Sequence, residues 1–357
     1  MAVYKIFPTK DASLYSYYPG KNTGIDEILD LSIYKSQADA GEVSRIAIAF
    51  APTEISDVLT SKINGATYDA YLKLYLANAT EIPLDYILYC HPISGSWSMG
   101  SGRAANVPSS SNGVSWKYRD LEGGSIFYGT SAGVTSSYAS TVGGGTYWTG
   151  SNLIATQSFD YQSTKDIELK VTNAISSSYY TDGFLIKHAS SLEFNTSSIF
   201  ETKYFSADTH TIYAPCLEFR WNDFIYSTGS LSVVTSDLVS ISLSNNKGEF
   251  QEDSVNRFKV NVRDRYPTRT FQTSSLYLNN KVLPTSSYYA VKDIKTEEFV
   301  IDFDTTYTKL SANSTGNYFD LYMNGLQPER YYQILIKSTI NGSTVVFEDN
   351  NYFKVVR

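Results

Sequence analysis

One short stretch of the sequence matches a catalytic signature. Gly129-Thr130-Ser131-Ala132-Gly133 fits the G-x-S-x-G pattern of serine hydrolases. That pattern needs a strand before the serine and a helix after it, with an acid and a histidine further along the chain. Here the flanking residues are mostly glycine, serine and threonine, without a helical period. We therefore expect no nucleophilic catalysis at Ser131.

Histidine and cysteine do not form a zinc-binding pattern. Only Cys90 and His91 bring two ligand types together, and neighbouring side chains on a strand point to opposite faces of the sheet. We interpret the remaining histidines, His188 and His210, as structural or surface residues, together with His91. Cys90 and Cys216 both lie in apolar strand contexts, which favours buried free thiols over a mutual disulfide.

Three carboxylates, Asp11, Asp26 and Glu27, stand near predicted turns. Turn formation is the ordinary role of such residues. Their oxygens could also join backbone carbonyls around a Ca²⁺ ion. We predict no bound cofactor or metal, with Ca²⁺ as the open alternative. No local signature indicates a carboxylate pair for glycoside hydrolysis, whose separation is set in three dimensions.

Aromatic residues are the best candidates for binding. They interrupt a glycine- and serine-rich stretch, residues 94–150, which is too long for an ordinary connection and predicts packed surface loops. One interpretation is that the aromatic side chains pin these loops to a sheet. The other is a platform that stacks on sugar rings or anchors a partner protein. The candidate binding residues are Trp97, Trp116, Tyr128, Tyr147 and Trp148.

The composition predicts the kind of fold that must position these residues. The 357-residue chain has 30 tyrosines and 18 phenylalanines, with abundant serine, threonine and asparagine, which favour strands and turns over helices. We predict an all-β chain. Its net charge is −7, so we do not expect non-specific binding to nucleic acid, which is itself negatively charged.

The alternation of apolar residues predicts two domains. Within residues 212–225, Leu217, Phe219 and Trp221 alternate with polar residues and Cys216, which predicts a half-buried strand. We interpret it as the last strand of an N-terminal domain, residues 1–225, with about eight strands and long loops. Such a pattern is typical of a jelly-roll-like β-sandwich. Residues 226–357 then form a second β-sandwich.

A local motif characterises this second domain. Leu326, Pro328 and Tyr332, followed by alternating apolar residues, resemble the tyrosine corner of fibronectin type III and related sandwiches. We expect the Tyr332 hydroxyl to bond to the backbone near Leu326, with Tyr331 as the alternative. The C-terminal domain is therefore predicted to be immunoglobulin-like.

A series of short motifs runs through the first domain. They are, in order, PTKDASLY, NTG, SRIAIAF, GVSWKYRD, the region of Trp148, DIELKVTNAI, DGFLIK and PCLEFRW. This order resembles the DNRLRE-type domain, a β-sandwich related to carbohydrate-binding modules. That family commonly has a tryptophan after the strand that corresponds to DIELKVTNAI, where this chain has Tyr179 and Tyr180. The resemblance implies an extracellular structural or adhesive module and no catalytic residue.

The first residues of the sequence bear on localisation. MAVYKIFPTKDASLY lacks the apolar segment of a signal peptide, and no apolar run approaches the ~18 residues of a membrane helix. We therefore expect neither export by a signal peptide nor membrane insertion. The composition nevertheless looks extracellular. A virus particle that is assembled inside its host and released by lysis reconciles these features.

Two further segments lie near the ends of the chain, IFPTKDASLYSYYPGKNTGIDEILDLSIY and TEEFVIDFDTTYTKL with GNYFDLYMNGLQPERYYQILIK. With these segments the chain resembles structural proteins of tailed phages that infect cyanobacteria. This resemblance implies a non-enzymatic virion protein at the tail, baseplate or neck periphery, present in many copies and bound to neighbouring virion proteins. The alternatives are an adhesin that binds a host glycan and a capsid decoration protein. A polysaccharide-degrading enzyme is a third alternative.

Overall fold

The computed structural model describes residues 2–35, 41–105, 110–127, 134–138, 141–193, 199–266 and 280–357. Contacts divide the chain into two units. The N-terminal unit comprises Ile6–Asn64 and Asp69–Glu218. The C-terminal unit comprises Phe219–Arg357 together with two short segments, Met1–Lys5 and Gly65–Tyr68. The prediction of an all-β chain built from sandwiches is confirmed, because strands form most of its regular structure.

The first sixteen described strands are β1 Ala2–Ile6, β2 Pro8–Tyr15, β3 Ile28–Lys35, β4 Gly41–Phe50, β5 Tyr68–Leu74, β6 Leu76–Thr80, β7 Tyr86–Pro92, β8 Tyr118–Asp120, β9 Ser125–Ile126, β10 Val134–Tyr138, β11 Thr141–Trp148, β12 Ala155–Phe159, β13 Ile167–Lys170, β14 Phe184–His188, β15 Phe200–Phe205 and β16 Cys216–Trp221. The remaining strands are β17 Val239–Ser244, β18 Glu249–Gln251, β19 Val255–Asp264, β20 Ser287–Asp293, β21 Phe299–Ile301, β22 Ser311–Asn313, β23 Gly316–Tyr322, β24 Tyr331–Ile340, β25 Ser343–Phe347 and β26 Tyr352–Val356. Short helices are α1 Pro52–Asp57, continued by a π-helical segment at Val58–Ile63, and α2 Thr172–Ser176, with a 3-10 turn at Met323–Gly325. None of the described helices is long and apolar enough to cross a membrane.

A curled antiparallel sheet forms most of the N-terminal unit. Its order is β12-β7-β14-β4-β3-β15-β6, with β2 also paired to β4. β4 pairs with β3 through its first residues and with β2 and β14 through the rest, which joins the two halves of the sheet. In a second sheet, β5 lies between β13 and β16.

Both faces of β4 are covered. The sequence places Ile46, Ile48 and Phe50 on one face, and all three are buried, as are Arg45 and Ala47 on the other face. The second face is covered because part of the segment between β7 and β12 folds back over it. β16 likewise differs from the half-buried strand that its sequence predicts. Cys216 and Glu218 on its other face are buried as well, and Glu218 forms a 3.2 Å ion pair with Lys73 of β5.

The C-terminal unit has the strand order of an immunoglobulin-like sandwich. One sheet has the order β17-β19-β23-β22, and the other has β18-β26-β24-β20-β21, with β25 paired to β24. β18 and β26 run parallel, whereas the other pairs are antiparallel. The inner faces of both sheets share one core, in which Phe319 stacks between Phe258 and Tyr289. Val3, from the first strand of the chain, packs into the same core.

Candidate binding surfaces

A buried ion cluster fixes the long loops of the N-terminal unit. The Arg45 guanidinium donates two 2.9 Å hydrogen bonds to the Glu193 carboxylate and a 2.6 Å bond to the Gly144 carbonyl. Lys187 lies 2.9 Å from the same carboxylate. The guanidinium also stacks on the Trp116 ring, 4.9 Å from its centroid. The two cations hold the pKa of Glu193 below its usual range, although burial acts in the opposite direction.

Three consecutive glycines allow β11 to approach this cluster. Gly143, Gly144 and Gly145 all have positive φ. A Cβ on Gly143 would lie 2.3 Å from the Trp116 carbonyl oxygen, and one on Gly144 would lie 2.7 Å from an Arg45 nitrogen. The three glycines therefore allow close packing: without a Cβ, the backbone of β11 can approach the buried Trp116.

The structure separates the aromatic residues that the sequence groups together. Trp97 and Trp116 are 4% and 0% exposed, and the Trp97 indole donates a 2.9 Å hydrogen bond to the Asp182 carbonyl. Tyr147 is buried beside His91, and only Trp148 is partly exposed, with its ring packed against Tyr179. These positions favour the interpretation that the aromatic residues pin the loops. Tyr128 and the pentapeptide 129–133 lie outside the described residues.

Two of the histidines are interior residues. His91 and His188 are 7% and 0% exposed, and each donates a ring hydrogen to a backbone carbonyl, of Trp148 and Leu31 respectively. Burial lowers the pKa of each imidazole to about 4, because the charged form would lose its hydration. His210 is exposed. The two buried rings therefore serve packing and backbone hydrogen bonding.

The three carboxylates that could hold Ca²⁺ accept other partners. Asp11 and Asp26 each accept a 2.7 Å hydrogen bond from a backbone N–H, of Ala207 and Ala104. Glu27 lies 3.8 Å from Arg103. Burial raises the pKa of Asp11 to about 7. Within the described ranges, no group of three potential metal ligands comes together.

The tyrosine-corner residues lie at the start of β24. The Tyr332 hydroxyl donates a 3.1 Å hydrogen bond to the Gln327 carbonyl, one residue after the buried Leu326. Pro328 lies in the turn between them. Tyr331, the alternative in the sequence, is 58% exposed. Tyr332 thus braces the crossover that leads into β24, as in immunoglobulin-like domains.

One surface of the C-terminal unit exposes several large apolar side chains. We call it the outer sheet face; it is the outward side of the sheet that contains β20, β21, β24, β25 and β26. The strand registers place Tyr331 opposite Lys354, Gln333 opposite Tyr352, and Lys337 between Tyr288 and Val346. Between 41% and 58% of Tyr331, Tyr352, Phe299 and Val346 is exposed.

Lysines are interleaved with these aromatic residues. The Lys337 ammonium lies 4.4 Å from the Phe303 ring centroid and 5.7 Å from that of Tyr288. Lys354 pairs with Glu329 beside Tyr331. The sequence patterns did not predict this surface. A signal for it was present in β24, where Tyr331, Gln333 and Lys337 lie on the face opposite the core residues, although Leu335 on that face is buried.

Comparison with known proteins does not identify a family. The sequence matches no protein-family model, and no curated protein matches it. A solved structure that does match is a DUF4785 family protein from Legionella pneumophila subsp. pneumophila str. Philadelphia 1, with 8% sequence identity and a TM-score of 0.16. The match covers 98% of this chain and 65% of that one. At this TM-score the likeness carries no argument about fold or function.

Proposed function

We propose that this protein is a non-enzymatic structural component of a tailed-phage particle, and that its outer sheet face binds a neighbouring virion protein. The observation that carries the docking role is the exposure of Tyr331, Tyr352, Phe299 and Val346 on one face of one sheet. These side chains are separated on the face by Gln333, Lys292 and Lys337, so the surface mixes apolar and polar groups as protein interfaces do, and tyrosine buries a large area at low entropic cost. The virion setting rests on the resemblance of the two ends of the chain to phage structural proteins.

The ionisable groups support a binding role over an enzymatic one. Catalytic acids and bases combine a shifted pKa with access to substrate. Here the strongly shifted groups include Asp11, His91 and His188, which are all buried and hydrogen-bonded to the backbone. Asp293, whose pKa falls to about 2, is held by Arg330 in a two-bond ion pair. All four groups are buried and engaged with the backbone or an arginine, so they are not presented to a ligand.

Cross-linking of purified particles with a lysine-reactive reagent, followed by mass spectrometry, tests the proposal. We expect the chain to be present and Lys292, Lys337 and Lys354 to link to another virion protein. Lys259 is the control, because it lies on β19 in the opposite sheet. Absence of the chain from particles would reject the virion role. Links from Lys259 alone would reject the outer sheet face as the docking surface.

Substitution of the exposed tyrosines provides a second test. Tyr331→Ser combined with Tyr352→Ser should reduce incorporation of the chain into particles without changing its circular dichroism spectrum. Tyr266→Ser is the matched control, because Tyr266 is 74% exposed in the same unit.

Electron microscopy of labelled particles would distinguish the tail, baseplate or neck periphery, which we favour, from capsid decoration. Contact with a host glycan is the second candidate function. An open cavity of the N-terminal unit, lined by Tyr15, Tyr17 and Tyr18 among others, favours it.

A further inference from the structure

The loop between β2 and β3 forms a tyrosine-rich ridge on the N-terminal unit. We call Tyr17, Tyr18 and Lys21 the tyrosine ridge. Tyr18 is 55% exposed, and the Lys21 ammonium lies 5.0 Å from its ring centroid. The Tyr17 ring packs against Tyr18, with centroids 4.8 Å apart, and against Tyr34. The ridge therefore presents aromatic surface that is backed by a second layer of rings.

Two open cavities share this ridge. One has a volume of about 460 Å³ and the other about 540 Å³, and Tyr17, Tyr18 and Lys21 line both. Each volume lies within the range of small-ligand sites, roughly 300–1,000 Å³. Because the two hollows share one ridge, a ligand that fills both extends across that ridge.

The polar groups around the ridge are mixed in sign. The first cavity is lined by Lys21 and Lys203 as cations and by Asp26, Glu27 and Asp30 as carboxylates. Lys203 of β15 lies opposite Asp30 of β3 in the strand register. A strongly charged ligand would meet like charges here. A ligand with many hydroxyl groups, each both donor and acceptor, can satisfy donors and acceptors of both kinds.

Buried side chains hold the loop in this conformation. The Asn22 amide donates 2.7 Å hydrogen bonds to the carbonyls of Met99 and Val114 and accepts one from the Gly102 N–H. The Thr23 hydroxyl bonds both to the N–H and to the carbonyl of Ser13. The loop is therefore fixed before a ligand arrives, which reduces the entropic cost of binding.

From these observations we infer that the tyrosine ridge and its two flanking cavities bind an extended oligosaccharide. A pyranose ring packs against the exposed surface of Tyr18, beside Lys21, and its hydroxyls bond to Lys21, Asp26 and Lys203. Successive sugar units occupy the two cavities. The inference rests on the second candidate function, contact with a glycan, and gives it a site and a ligand class. It is independent of the proposed docking by the outer sheet face, so either can fail without the other.

Binding of the purified full chain to an array of immobilised mono- to hexasaccharides, with neutral, acidic and amino sugars, tests the inference. We expect neutral or weakly charged oligosaccharides to bind, with affinity that rises with length because two cavities are filled. Calorimetry with the best soluble oligomer then measures the variants. Tyr18→Ala and Lys21→Ala should each weaken binding about tenfold or more.

Tyr161→Ala is the matched control, because Tyr161 is 72% exposed in the same unit and lines neither cavity. It should bind as tightly as the unsubstituted chain. Circular dichroism of each variant verifies its fold. The inference is overturned if no glycan binds, if Tyr18→Ala binds normally, or if Tyr161→Ala weakens binding equally. Equal affinity for a monosaccharide and its longer oligomers would overturn the extended ligand.

Discussion

The ammonium group of Lys5 donates a 2.8 Å hydrogen bond to the carbonyl oxygen of Val300, 295 positions later in the sequence. The Lys5 carbonyl in turn accepts a hydrogen bond from the Asn324 amide. Val3 is 7% exposed within the core of the same C-terminal unit. The first residues of the chain are thus a structural part of its last domain.

Val3→Ala should destabilise the C-terminal unit by about 1–3 kcal/mol, because it removes buried methyl groups from a packed core. Hydrogen exchange of the full chain, read by mass spectrometry, measures this as faster exchange in residues 280–357. Val346→Ala is the control, because Val346 is 41% exposed, and it should change little. Equal effects of the two substitutions would contradict the packing of Val3.

Arg45→Met should cost about 3–5 kcal/mol of folding free energy, because it leaves the Glu193 carboxylate without its two-bond partner in the interior. Arg257→Met is the control. Arg257 makes the same two-bond contact with Asp320, at 2.7 Å, but 51% of its side chain is exposed. It should cost about 1 kcal/mol or less. Urea denaturation of the two variants measures the difference, and similar losses would argue against the buried cluster.

Gly144→Ala should destabilise the N-terminal unit by at least about 2 kcal/mol more than Gly342→Ala destabilises the C-terminal unit. Both glycines have φ of +84°, so both substitutions carry the same backbone strain. Only at Gly144 does the added Cβ meet other atoms, 2.7 Å from Arg45 and 2.8 Å from Trp116, whereas nothing lies within 4 Å at Gly342. Thermal unfolding of both variants isolates the steric contribution. Equal losses of stability in the two variants would mean that β11 can move away from Trp116.

The contribution of His188 to stability should fall as the pH is lowered from about 6.5 to about 4. His188 has a folded-state pKa of about 4 and an ordinary value of 6.5, so between these values the imidazole binds a proton in the unfolded chain and not in the folded one. The buried Asp11, whose pKa is raised to about 7, acts in the opposite direction. His188→Gln should therefore remove the His188 contribution from the slope of this profile. Urea midpoints across this pH range measure the slope, and an unaltered slope in His188→Gln would count against the buried neutral ring.

Tyr332→Phe should cost about 1 kcal/mol, because it removes the hydroxyl that donates to the Gln327 carbonyl and keeps the packed ring. Tyr331→Phe is the control at the neighbouring position, where the ring is largely exposed. Urea denaturation of the full chain, followed through signals of the C-terminal unit, compares them. A larger loss from Tyr331→Phe would place the tyrosine corner one residue earlier.

The sequence alone determined the fold class and the local motifs. Apolar residues at every second position of β4, β16 and β24 predict a strand whatever packs against it, because neighbouring side chains on a strand point to opposite faces. The tyrosine corner was also predictable from the sequence. Leu326, Pro328 and Tyr332 lie within seven residues, so their relative positions follow from the local direction of the chain.

Only the tertiary structure decided which side chains are available to a partner. The sequence patterns indicated Trp97 and Trp116 as candidate binding residues. Both are buried in the structure, because chain segments that are distant in sequence cover them. Arg45 finds Glu193 across 148 residues, a pairing with no sequence signal. The sequence patterns did not predict the tyrosine ridge, although the run YSYYPG contains two of its residues, because the cavities beside it are lined in part by residues distant in sequence, such as Ala104, Ser110 and Lys203. Burial and cavities depend on long-range packing, which local patterns do not encode.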